Sequence, residues 1–255
     1  MAIKQGKIIT VTSMKGGTGK TTMALNLAGI IQSLGKKVLI VDLDFYGSAI
    51  ASSLNLDYKS DIYKMVDDLS NNRFHQIENY VITYAEGIDV LPAPKDPRDA
   101  SKIKASYLEP ILNRASMRYD VLLLDTNHCM DSIKLMALDQ SDETVYVMTN
   151  DPIDIKNMKS IVSIYKSMEK DNYKIVLNEA LDHNRSYFDH YDIKNIIHDN
   201  IDYTIPKNFH IQNIDRYVLD GKILTMDSKI IKRYKKAMKN LTLLSNALLR
   251  EKKKK

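Results

Sequence analysis

The ten residues Ser13-Met14-Lys15-Gly16-Gly17-Thr18-Gly19-Lys20-Thr21-Thr22 constrain this chain more than any other stretch. Ile8, Ile9 and Val11 make a short β-rich run before them. Met23, Leu25, Leu27, Ala28, Ile30 and Ile31 recur at helical spacing after them, until Gly35. A strand, a glycine turn and a helix N-terminus in that order build an anion site, because backbone N–H groups converge there and the helix dipole favours negative charge. Gly16, Gly17 and Gly19 carry no Cβ and accept positive φ, so the backbone can close on a polyphosphate with Thr18 and Thr22 in the same loop. Lys20 then supplies a charge for β- and γ-phosphates, and the Thr21 hydroxyl is placed for Mg²⁺. Met14 stands where the strict loop pattern has glycine. A glycine-rich turn with a solvated lysine is the plain alternative, but context and residue types agree on nucleotide binding.

The rest of the chain alternates strands with helices. Val38 to Val41 is a near-continuous apolar run ending in Asp42-Leu43-Asp44, and Val121 to Leu124 is another ending in Asp125. Such runs read as parallel strands buried on both faces, and carboxylates at their C-terminal ends face the crevice where ligands bind. An apolar run ending in aspartate is weak evidence alone. Two strand-helix units after a phosphate loop, it predicts a carboxylate beside the metal, holding a metal-bound water. Further strands are expected at Tyr80 to Tyr84, Ile88 to Leu91, Thr144 to Met148, Tyr173 to Leu177 and Tyr203 to Ile205. Helices are expected at Asp61 to Leu69, about Asp99 to Ser116, and from Pro152 to about Lys170. The predicted fold is a doubly wound, mainly parallel α/β sheet. No repeat or linker interrupts it, so residues 1–227 are expected to form one P-loop domain, with a C-terminal helix and basic tail over 228–255 as part of it.

Lys15 is a second lysine on the loop's outer turn, with no evident intramolecular partner in the sequence. Lys15-Gly16-Gly17-Thr18-Gly19-Lys20-Thr21-Thr22 resembles the deviant Walker A loop of the ParA/MinD family of ATPases, and Asn26-Leu27-Ala28 and Gly35-Lys36-Lys37-Val38-Leu39 continue that pattern. The resemblance runs from about Lys7 to Asp227. It implies ATP and Mg²⁺ as cofactors and a homodimer formed on ATP, with Lys15 reaching the partner's nucleotide. It also implies that Asp44 helps position metal-linked and attacking water, that Asn178 serves the adenine, and that the loop at Pro206 covers it. Lys15, Lys20 and Asp44 are thus the expected catalytic residues, and Thr21, Asp44 and Asp125 the expected metal site. Phe45-Tyr46 replaces the usual Pro-Gln after Asp44, Glu179 replaces the arginine that often follows Asn178, and Thr126-Asn127-His128-Cys129 departs from the usual second switch. For Asn127 and His128 the expected role is capping or support rather than general base catalysis.

Leu91-Pro92-Ala93-Pro94, Leu138 to Asp142 and Ile155 to Asn157 are similar to the CpaE/TadZ branch, ATPases that mark pilus assembly sites. That branch often carries an N-terminal receiver-like domain, which is not expected here. The leading expectation is a slow Mg²⁺-ATPase switch that positions pilus or secretion machinery with a protein partner. ParA-like DNA partition, MinD-like division-site placement, a metabolic P-loop synthase and a nucleotide-binding scaffold without hydrolysis are the alternatives.

Charge bears on the partner. The chain carries +5 overall, but residues 227–255 hold eleven Lys/Arg against two Asp/Glu, which leaves the remainder at −4. Ile231, Tyr234, Met238, Leu241 and Leu248 form the expected apolar stripe of that helix. Its basic face and the tail 250–255 suit anionic membrane or non-specific DNA phosphates. No apolar run reaches a membrane span, and Met1 to Lys7 lacks a signal core, so a cytoplasmic protein is expected, with a peripheral place at membrane or cell pole left open. The single cysteine excludes an internal disulfide and a cysteine-ligated cluster within one chain.

Overall fold

An apolar residue at nearly every position of a strand calls for cover on both faces of the sheet, and the computed structural model provides it. The structure describes residues 5–181, 188–209 and 214–250. In chain order the strands are β1 (Lys7–Thr12), β2 (Val38–Leu43), β3 (Ile82–Ala85), β4 (Ile88–Leu91), β5 (Val121–Thr126), β6 (Glu143–Met148), β7 (Tyr173–Asn178) and β8 (Tyr203–Ile205). They form one sheet in the order β3-β4-β2-β5-β1-β6-β7-β8, in which only the β3–β4 pair is antiparallel.

The helices are α1 (Lys20–Ser33), α2 (Ala49–Ser53), α3 (Ile62–Ser70), α4 (Ala105–Ser116), α5 (Ser132–Gln140), α6 (Pro152–Ser167), α7 (His190–Ile197), α8 (Ile214–Leu219), α9 (Ser228–Arg233) and α10 (Lys235–Leu249). Side chains alternate across each strand, so neighbouring residues feed different cores. Ile9, Val11, Ile40, Leu123 and Val145 pack with α1 and α10, whereas Ile8, Leu39, Val41, Leu122 and Leu124 pack with α3, α4 and α5. Tyr146, Met148, Ile175 and Leu177 meet α6 and α7.

Several boundaries differ from the sequence expectations. Residues 77–79 make a 3₁₀ turn that Tyr80 closes (φ −120°, ψ −7°), so the strand expected over Tyr80 to Tyr84 runs instead as β3 from Ile82 to Ala85. The helix expected from Asp99 is delayed: Pro97–Lys102 is a 3₁₀ segment, and Ile103 is extended (φ −84°, ψ 112°) before α4. Helix α6 ends at Ser167, ahead of Glu169 at φ 54°. The helix expected from Ser228 is two, interrupted where Tyr234 leaves helical geometry at ψ 48°. That break shifts the phase, so Ile230 is buried (4% exposed) and Ile231, placed on the stripe by periodicity, is 41% exposed. Ala237, Met238, Leu241, Leu244 and Leu248 of α10 are buried in the same cluster as α1. No helix among the described residues is long and apolar enough to cross a membrane. The tail beyond Arg250 lies outside the described residues.

Candidate nucleotide site

The C-terminal ends of β1, β2, β5 and β7 deliver nearly every residue singled out from the sequence to one edge of the sheet. The loop after β1 turns through Gly17 (φ 77°) and Gly19 (φ 92°), and Gly19 is the residue from which α1 starts. A Cβ on Gly17 would meet nothing within 4 Å, so open space adjoins the loop at that turn. The Ser13 hydroxyl donates to the Lys15 carbonyl at 2.6 Å, which tightens the loop's entry. Lys20 is buried at 8% exposure and makes no hydrogen bond or ion pair among the described residues. A buried lysine with no hydrogen-bonded or ion-paired carboxylate leaves its ammonium available to a phosphate.

Three carboxylates surround the loop's exit. Thr21 Oγ1 donates to Asp125 Oδ2 at 2.7 Å, and Asp125 Oδ1 is buried without a partner. Burial pushes the Asp125 carboxyl up to about 7, against the opposing pull of the Thr21 hydroxyl and Lys20. Asp42 lies beside Asp125 in the β2–β5 register and is buried completely. Burial and the neighbouring Asp125 hold its pKa well above the usual carboxylate range. Its oxygens accept from the backbone N–H groups of Asp44 (3.1 Å) and Ile50 (3.2 Å), so Asp42 braces the turn between β2 and α2. Asp44 is half-buried, and its carboxylate accepts from Gly47 N–H at 3.0 Å. A Cβ on Gly47 would lie 2.6 Å from that carboxylate, so any larger residue there would displace the Asp44 side chain.

Lys15 has an intramolecular partner, contrary to the sequence expectation. Its ammonium lies 3.0 Å from Asp151 Oδ2. Asp151 also accepts from Ile153 and Asp154 N–H and so caps α6, and the pairing with Lys15 lowers its carboxyl pKa. The contact arises because β6 neighbours β1 in the sheet, which places the loops that follow them side by side.

Asn178 turns its amide toward the loop: Nδ2 donates to the Thr18 carbonyl at 2.9 Å, while Asn178 Oδ1 and Thr18 Oγ1 are left without partners. Pro206 is buried and its carbonyl accepts from Phe209 N–H at 2.8 Å, closing the turn after β8. Asn127 takes a supporting role, donating to the Asp131 carboxylate at 2.8 Å, which in turn caps α5 through Lys134 N–H. The exposed His128 ring faces Gly16, where a Cβ would lie 3.7 Å from Nδ1. Thr22 is exposed on α1, and its carbonyl receives Asn26 Nδ2 at 2.8 Å.

The sequence reading missed Lys134. This α5 side chain is 1% exposed, and its ammonium donates to the Ser13 carbonyl at 2.8 Å. Burial, aided by Lys20, pushes its pKa down to about 8. In the sequence it is one more lysine in a helix, with no spacing that marks it.

Among the described residues no cluster of three or more His, Cys, Asp or Glu could hold a metal unaided. The residues fit Mg²⁺ brought with phosphates: the unpartnered Asp125 oxygen and the Thr21 hydroxyl are hard oxygen donors, and Mg²⁺ takes one or two protein oxygens beside phosphate and water.

Comparisons with known proteins agree with this geometry. Residues 6–182 match the family described as AAA domain. The sporulation initiation inhibitor protein Soj of Bacillus subtilis is 28% identical over 171 residues, spanning 65% of this chain and 67% of its own length. The solved ParA family ATPase of Chlorobium tepidum superposes with a TM-score of 0.78 at 19% identity, covering 95% of this chain and 99% of that one. The septum site-determining protein MinD of Pyrococcus horikoshii, solved with Mg-ADP, superposes at 0.77 with 20% identity, covering 95% and 96%.

Proposed function

The chain belongs to the ParA/MinD family of AAA-domain ATPases, and from that membership we propose that it is an ATP-dependent switch: a slow Mg²⁺-ATPase whose two copies join on ATP and part after hydrolysis. The observation that carries the reading is the pairing of a buried, unpartnered Lys20 with the Thr21–Asp125 contact beneath an open glycine loop. In this reading the loop N–H groups and Lys20 bind the β- and γ-phosphates. Thr21 and Asp125 hold Mg²⁺, which offsets phosphate charge. Asp44 orients the attacking water, and Lys15 of each copy reaches the nucleotide of the other. Asn178 and the turn at Pro206 flank the base.

Such a nucleotide can shift the monomer–dimer equilibrium only through its differential affinity for the two states. Light scattering tests this: the mass doubles with Mg²⁺ and a nonhydrolysable ATP analogue, stays single with ADP, and stays single in Lys15→Ala with either. Equal masses throughout would sink the switch. Phosphate release by the wild type, lost in Asp44→Ala, separates it from a scaffold that binds nucleotide without turnover.

For the cargo, partition along DNA is favoured over membrane attachment by one feature. The apolar stripe of α10 is already buried against α1, while Lys229, Lys232, Arg233, Lys235, Lys236 and Lys239 are exposed. A helix whose apolar face is spent inside the fold offers charge rather than an insertion surface. The narrower pilus or secretion role rests on the resemblance over residues 91–94 and 138–157. DNA binding that weakens with salt, beside absent liposome co-sedimentation, is the expected result; the reverse pattern favours a membrane role, and binding to neither favours a protein partner.

A further inference from the structure

Lys134 is an anomaly that the proposed reaction does not use. An ammonium at 1% exposure ordinarily sits against a carboxylate, because burying an unpaired charge is costly. Here its acceptors are neutral: the Ser13 carbonyl at 2.8 Å, the His128 carbonyl at 3.5 Å and the Met14 thioether at 3.9 Å. These belong to two different segments. Ser13 and Met14 lead into the phosphate loop, and His128 follows the β5 carboxylate Asp125 in the segment before α5. The same residue is fixed at its other end, since Lys134 N–H is capped by Asp131, which Asn127 also holds. The His128 ring, meanwhile, lies over Gly16 on the loop's outer side. The loop is therefore met twice from this side, by the His128 ring beside Gly16 and by the Lys134 ammonium at the Ser13 carbonyl.

We infer that Lys134 is a positioning residue that couples occupancy of the phosphate loop to the conformation of residues 126–131. The Asp131 carboxylate acts on this cation only through space, and a polyphosphate in the loop adds negative charge on the Ser13 side and strengthens its hold there. Any movement of the segment carrying His128 must then be made against, or along with, that bond. The inference rests on the nucleotide-switch reading and adds a route by which the loop reports to the surface that faces a second copy. Two elements joined by one bonded side chain form a physical link whose equilibrium both ends can bias.

Cys129 makes the link measurable, being the chain's single cysteine, exposed, and adjacent to His128. The rate at which a disulfide reagent modifies it is followed on the full chain, with and without Mg²⁺ and a nonhydrolysable ATP analogue, at a dilution where scattering shows a monomer. A fluorescent nucleotide reports binding in parallel. In the wild type, nucleotide is expected to change the thiol rate about fivefold or more. In Lys134→Met the nucleotide still binds but the rate is the same with and without it, and Lys134→Arg restores the response. Nucleotide that binds the wild type without changing the thiol rate overturns the inference, a result that needs no variant to fold. An unaltered response in Lys134→Met or in Lys134→Gln overturns it too. Failure of the wild type to bind nucleotide at all overturns the switch reading, and this inference falls with it.

Discussion

The price of keeping an ammonium out of water shows in how stability depends on pH. Lys134 holds its proton up to about 8 in the folded protein, against an ordinary value of 10.5. Between those values the unfolded chain binds more protons, so stability rises with pH across that window and is flat below it. Urea unfolding should show the wild type gaining roughly 3 kcal/mol relative to Lys134→Met between pH 8 and pH 10.5. A difference that stays constant would mean that the lysine is solvated. At this scale the sequence was most legible where chemistry is local. The loop glycines, Lys20, Thr21 and Asp125 announce themselves within a few residues, and the structure brings them together. Lys134 and the Lys15–Asp151 pair were hidden because they depend on contacts more than a hundred residues apart, which no local pattern records.

At the scale of elements, α1 is the piece against which the rest is fitted. Asn26 receives Thr225 N–H at 3.2 Å, and the Thr225 hydroxyl donates to the Asn26 carbonyl at 2.9 Å. Gly29, one turn on, lies so close that a Cβ would stand 2.4 Å from Thr225 Oγ1. Alanine there gains at most about 1 kcal/mol of helix propensity, while overpacking costs about 1–3 kcal/mol. Thr225 is buried and doubly bonded, so it cannot swing aside, and Gly29→Ala should lower the urea midpoint without changing the slope. An unchanged or higher midpoint would show that the 223–226 turn yields. The mainly parallel sheet followed from strands alternating with helices, while the order of those strands rests on pairings far apart in sequence. The phase of the C-terminal helices did not, because the break at Tyr234 comes from a single backbone ψ that periodicity cannot see.

At the scale of the whole molecule, the Lys15–Asp151 pair holds within one copy the cation proposed to bridge two. Both side chains are partly exposed, at 41% and 33%, so the pair is worth about 0–1 kcal/mol. Asp151→Asn keeps the cap on α6 and removes the charge. It should raise the dimer fraction at fixed ATP by up to about fivefold, less at high salt, as read by sedimentation velocity. A lower dimer fraction would show that Asp151 serves the joined state instead. The edge from which Lys15 projects is also the mouth of the glycine loop. A twin seated on that edge would act as a stopper, so spent nucleotide could not leave until the two copies let go, and the lifetime of their embrace would become the clock of the whole cycle.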